Sequence, residues 1–149
     1  MQASDRLLAR RYARALFDAA IDHREEERVG RDLPEICRVV QQNIAIFQNP
    51  VLGALRQQAH LKKLLGPETT RRTQRFLEVL AEKKRLALLP AAVVEYGRLL
   101  DEKRSVARAR VRSAAALSPQ EEGALRQRLE RLTGKKIEMD VKVDGELLG

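Results

Sequence analysis

The sequence predicts a mainly helical fold: an N-terminal antiparallel bundle of six helices over residues 1-104, followed by a small α/β domain over 105-149. Three observations predict it. Apolar residues recur at helical spacing from Leu8 to Leu100. The pattern then changes to a period of two in "SVARARVRSA" and again in "KKIEMDVKVD". Between these stretches, "LSPQEEGALRQRLERLTG" carries the start and stop signals of one more helix.

The first helix is capped by Ser4 or Asp5 and shows the stripe Leu8, Tyr12, Ala15, Leu16, Ala19, one helical face. It is unusual in being lined by alanine beside a tyrosine, with arginine at most polar positions. A second stripe, Val29, Leu33, Ile36, Val40, passes through Pro34, so that helix is either kinked there or begins there. "NIAIFQNP" reads as a short third helix ended by Asn49-Pro50. Leu55, Leu61, Leu64 and Leu65 mark a fourth, stopped by Gly66-Pro67. The fifth, "PETTRRTQRFLEVLAEKKRL", is expected to place Pro67 and Glu68 in its first turn and Lys83 to Arg85 in its last, matching the helix dipole. Its apolar residues are Phe76, Leu77, Val79, Leu80 and Ala81. The sixth runs through Val93, Tyr96, Leu99 and Leu100.

Arginines then alternate with Val106, Ala107, Ala109 and Val111, the mark of a half-buried strand with a wet basic face. Ser118 caps the following helix, Pro119 takes its first position, Glu121 completes a capping box and Gly134 ends it. Leu125, Leu129 and Leu132 are its expected buried stripe. Ile137, Met139, Val141 and Val143 form one face of a second strand. Two strands and one helix leave open edges and an uncovered face, so the C-terminal domain is expected to be incomplete.

Composition bounds the function. In 149 residues, charged side chains make up 34% and aromatics only 3%, so a core must be built from Leu, Ala, Val and Ile. No stretch reaches the ~20 consecutive apolar residues of a membrane span. "MQASDRLLARR" enters a helical pattern at once, without the apolar run of a signal peptide. A single cysteine, Cys37, precludes an internal disulfide and fits a reducing compartment. The net charge of +8 admits nucleic acid, anionic lipid or an acidic protein as partner. The arginines, however, are interleaved with acids along the chain, and every aromatic falls on an apolar stripe, leaving no stacking platform. A basic nucleic-acid-binding module is therefore the alternative reading. His23 and His60 lack metal-ligand neighbours in sequence, Cys37 borders an apolar stripe, and the scattered glycines form no phosphate loop. No catalytic, cofactor or metal constellation can be assembled.

Three stretches, "RRYARALFDAAIDH", "RFLEVLAEKKRLALLPAAVVEY" and "VRSAAALSPQEEGALRQRLERLTGKKIEMDVKVDGELLG", in this order resemble the delta subunit of bacterial F-type ATP synthase, the relative of the mitochondrial oligomycin-sensitivity-conferring protein. The resemblance implies a non-catalytic stator adaptor. The bundle of that family receives the N-terminal helices of the alpha subunits of the catalytic head, one of them between its first and fifth helices. Its smaller domain holds the C-terminal ends of the b subunits, the peripheral stalk. Carried onto this chain, Tyr12, Ala15, Leu16 and Ala19 form one wall of the groove, and Arg75, Phe76, Val79 and Lys83 the other. The stalk contact falls on Leu147 and Leu148. The resemblance also implies a peripheral place on the cytoplasmic face of a bacterial plasma membrane. Where the family commonly has an Asn-Gly turn pair, "AEKKRL" has lysines, so the fifth helix is expected to run slightly further.

Overall fold

The computed structural model describes residues 1–148, and for Leu148 the backbone alone. It divides into two compact units, Met1–Leu100 and Asp101–Gly149. The first is helical and holds nearly all of the core. Its elements are α1 (Ala3–Asp22), α2 (Glu26–Gln42), α3 (Ile44–Gln48), α4 (Gly53–Leu64), α5 (Arg71–Glu82) and α6 (Leu89–Lys103), whose last residues pass into the second unit.

Helix α1 begins earlier than its polar residues suggest. Gln2 is its cap, and Gln2 N–H donates to Asp5 Oδ2 at 3.4 Å, so Asp5 works inside the first turn, where its charge suits the dipole. The buried face is Ala9, Ala13, Leu16, Phe17 and Ala20 rather than the expected Leu8–Tyr12–Ala15–Leu16–Ala19 stripe. Of that stripe only Leu16 is buried; Leu8, Tyr12 and Ala19 are half-buried and Ala15 is exposed. Alanine occupies both faces, so spacing alone could not choose between them. Phe17 decides: its ring meets Tyr96 of α6 edge-on, with centroids 5.5 Å apart.

In α2 the side chains of Val29, Leu33 and Val40 are buried as their spacing requires. Pro34 lies inside this helix, not in its first turn, so the Gly30 carbonyl loses its helical donor. Gly30 itself lets α2 approach α6, since a Cβ there would fall 2.6 Å from Leu100 Cδ2. The Asn49 side chain accepts Val51 N–H at 3.0 Å and opens the turn into α4. Leu61 of α4 is buried, whereas Leu55, expected on the same stripe, is 84% exposed.

Helix α5 starts at Arg71, not at Pro67. Thr70 captures its N-terminus: the Thr70 hydroxyl oxygen accepts Thr73 N–H at 3.2 Å, and both threonines are buried. It also stops earlier than expected, at Glu82. Lys84 adopts φ +55, Lys84 N–H reaches Ala81 O and Arg85 N–H reaches Leu80 O at 2.7 Å. A lysine thus takes the left-handed position that an Asn-Gly pair fills readily, and the helix closes as it would there.

In the second unit, β1 (Val106–Ser113) and β2 (Lys136–Val143) pair in parallel, with Val106 opposite Lys136 and Ser113 opposite Val143. In the crossover helix α7 (Pro119–Thr133), Ser118 Oγ accepts Glu121 N–H at 3.1 Å, one half of the expected capping box, and Gly134 takes φ +67. Its leucines do not form a buried stripe. Leu125 and Leu129 are half-buried and Leu132 is 75% exposed, because only one short sheet face is available to cover them. Ile137 is the one buried hydrophobic residue of this unit among those described.

Three outcomes are expected. Tyr96 is buried and its hydroxyl donates to Glu26 O at 2.9 Å, so Tyr96→Phe should cost about 1 kcal/mol in thermal or denaturant unfolding. Burial, with the carboxylates of Glu26, Glu27 and Glu25 nearby, raises the Tyr96 phenol above its ordinary range. The folded state therefore favours the neutral phenol, and its contribution is complete below the unfolded pKa of about 10 and declines above it. Tyr96→Phe should flatten that alkaline decline; an unchanged slope contradicts the assignment. In hydrogen exchange, β1 and β2 amides should exchange faster than those of α1 and α6, since so little covers the sheet. Equal protection would show the second unit to be as firmly closed as the first.

Candidate functional site

Helices α1 and α5 lie side by side with opposite directions. Near the start of α5, Arg72 Nε stands 3.3 Å from Glu25 Oε2, just past the end of α1. At the other end, Arg85, just past α5, donates from Nη1 to Tyr12 Oη at 2.6 Å. Between these two ties a groove of about 770 Å³ opens along the helix pair.

Tyr12, Ala15, Leu16 and Ala19 line it from α1, and Arg75, Phe76 and Val79 from α5. The structure thus brings together seven of the eight positions expected for this groove. Lys83 is not among the lining residues: it is the C-cap of α5, exposed, where the chain already turns away. Lys62, Arg71, Arg72, Gln74 and Glu78 complete the lining. Arg71, Arg72 and Glu78 follow from α5 once Arg75 is placed, since they lie three or four residues from it on the same side, and Gln74 lies four residues before Glu78. Lys62 comes from α4 and carries no signal in the sequence that would join it to α1.

The floor and the shoulders differ in kind. Leu16 (4% exposed) and Phe76 (9%) belong to the hydrophobic core and expose little surface to the groove. Ala15 is exposed and Ala19 half-buried, so beyond Tyr12 the α1 shoulder is low. Tyr12 is held by the Arg85 hydrogen bond, with the guanidinium carbon 5.9 Å from its ring centre. On the α5 side, Arg75 Nη1 bridges Glu78 Oε2 at 3.5 Å and Glu82 Oε1 at 3.4 Å. The lining is mostly apolar, with charge confined to one rim.

Such a trough can accept an apolar helix face, as small residues let a second backbone come close. It brings together no nucleophile and base. Among the described residues, no three His, Cys, Asp or Glu side chains gather as a metal site. His23 caps α1, its Nδ1 2.9 Å from Ala19 O. His60 is half-buried against Phe47 and touches Asn43 Oδ1, not at a free surface position. Cys37 packs on the core, and burial pushes its thiol pKa up, away from a reactive thiolate. In the second unit, Leu147 is exposed within the 3-10 turn Gly145–Leu148, and the Leu148 side chain lies outside the described residues.

A helical bundle bearing an apolar trough, followed by a βαβ unit, has the form of a binding module. Comparison with known proteins is specific. Residues 8–149 match the family model described as the ATP synthase delta (OSCP) subunit. ATP synthase subunit delta of Chlorobaculum parvum is 34% identical over 149 residues, covering 98% of this chain and 82% of that protein. The same subunit of Desulfovibrio desulfuricans is 35% identical, covering 97% and 82%, and that of Oleidesulfovibrio alaskensis is 34% identical, covering 96% and 81%. The chain belongs to the ATP synthase delta (OSCP) subunit family.

Because Phe76 is shared between core and groove, Phe76→Ala should cost about 3–5 kcal/mol of bundle stability, while exposed Ala15 should tolerate a polar side chain at nearly no cost. Chemical denaturation of the two variants checks this. A Phe76→Ala loss under about 1 kcal/mol would place the ring in the groove rather than the core.

Proposed function

We propose that this chain is a stator adaptor of F-type ATP synthase, whose first unit holds the catalytic head by taking the N-terminal helix of an alpha subunit between α1 and α5. Its second unit would face the b-subunit stalk, through the end of the chain that includes Leu147. The work is mechanical: a link between head and stalk resists the torque that proton flow puts on the rotor, so rotation is coupled to ATP synthesis. Family membership supports a place in the complex at the cytoplasmic side of the membrane, and no helix among the described residues is long and apolar enough to cross a membrane.

The observation that carries the reading is the low α1 shoulder. Ala15 is exposed and Ala19 half-buried beside a mostly apolar trough. Unfilled apolar surface of this shape on a folded bundle marks a binding face. Nucleic acid fits it poorly, since of the two aromatics in the lining Phe76 is buried and Tyr12 is half-buried and tied to Arg85, which leaves no open platform for a base to stack on.

The expected result is that Ala15→Asp abolishes measurable binding of an alpha-subunit N-terminal peptide in calorimetric titration while the melting temperature stays put. A carboxylate there must be desolvated or hold the partner away, at a cost of at least about 1–3 kcal/mol, ten- to a hundredfold in affinity. Arg11→Ala, on the same helix but outside the lining, should bind as the parent does. Undiminished binding by Ala15→Asp removes this face from the interface.

A further inference from the structure

The groove is electrically one-sided. Every lining side chain from α1 is uncharged: Tyr12, Ala15, Leu16 and Ala19. The opposite rim carries Lys62, Arg71, Arg72 and Arg75 against a single acid, Glu78. Two of those cations are already engaged, Arg72 by Glu25 and Arg75 by Glu78 and Glu82. Lys62 and Arg71 are exposed and make no ion pair with any described residue.

We propose that the groove selects an amphipathic helix whose carboxylates lie along the one flank turned toward α5, and that Lys62 and Arg71 read them. This rests on the groove being the head-binding site and adds what that helix must carry. A helix seated by its apolar stripe can lie in a trough in two directions. Reversing it moves the acidic flank from the α5 rim to the uncharged alanine shoulder, where its carboxylates lose their partners. The paired side therefore fixes the direction of the docked helix as well as its identity. Apolar contact alone would separate the two directions only weakly, since Ala15 and Ala19 are alike and Tyr12 is the one α1 lining residue with a polar tip. Charges at a rim act on partner choice and encounter more than on total affinity, which suits a site that must pick one segment in one orientation.

The probe is the synthetic N-terminal peptide of the alpha subunit from the same organism, titrated against the whole chain, against Lys62→Glu/Arg71→Glu and against Ala15→Asp. Both reversed positions are exposed, and circular dichroism confirms that each variant keeps its fold. The double reversal should weaken binding roughly tenfold at about 50 mM salt, and the loss should shrink at about 500 mM, where the Debye length is a few ångströms. A second peptide with its carboxylates replaced by lysine should bind the parent poorly and recover on the double variant. If the double reversal binds like the parent while Ala15→Asp does not bind, the groove reading stands and the charge reading is overturned. If the peptide binds Ala15→Asp as tightly as the parent, the groove reading fails and this one falls with it. An alpha-subunit peptide whose groove-bound stretch holds no carboxylate also overturns it.

Discussion

The closeness with which α1 enters the bundle is the constraint on which the rest depends. Ala9, Ala13 and Ala20 are essentially fully buried, so the α1 backbone lies nearer the core than a leucine-faced helix could. A helix set that deep leaves its neighbouring face, Tyr12, Ala15 and Ala19, low beside α5. The trough is the space between a sunken helix and an ordinary one. Its walls are then fixed by two polar ties, Tyr12 to Arg85 and Glu25 to Arg72, one at each end of the helix pair. Leu16 and Phe76 make the floor part of the core, so the site is rigid to the extent that the bundle is.

Core and site share residues, and that sharing has a cost in how each can vary. A larger residue at Ala13 or Ala20 would push α1 outward and raise the shoulder. A larger residue at Ala15 would leave packing intact and fill the groove instead. The same residue type therefore serves two purposes within one turn, close packing on the inner face and clearance on the outer one. The second unit obeys a weaker version of the same physics: its helix has sound caps but little sheet to lie on, so its leucines stay partly in water.

Much of this was legible in the sequence where local chemistry acts alone. The switch of period near Lys103, the Ser118-Pro119 start and Gly134 stop of α7, and the alternation of the two strands all follow from backbone and cap requirements. What misled was ambiguity or tertiary competition. The α1 stripe was misplaced by one position because alanine marks both faces, and only the Phe17–Tyr96 contact distinguishes them. The start of α5 was misplaced because Pro67-Glu68 suits a first turn, yet buried Thr70 captures the N-terminus further on. The end of α5 was expected too late, since nothing in "AEKKRL" announces that Lys84 will accept a left-handed backbone. Of the eight positions that the family resemblance carried over, seven lie along one groove and Lys83 does not; Lys62 could be found only from the packing of α4.

The central claim, that the trough between α1 and α5 is where the head is held, is tested most directly by mapping the contact on the whole protein. Amide and methyl resonances would be followed by NMR as an alpha-subunit N-terminal peptide is added. The account predicts that the largest shifts fall on Tyr12 to Ala19 and Arg71 to Val79, with β1 and β2 unmoved. Shifts centred on α3 and α4, or on the second unit, would contradict it.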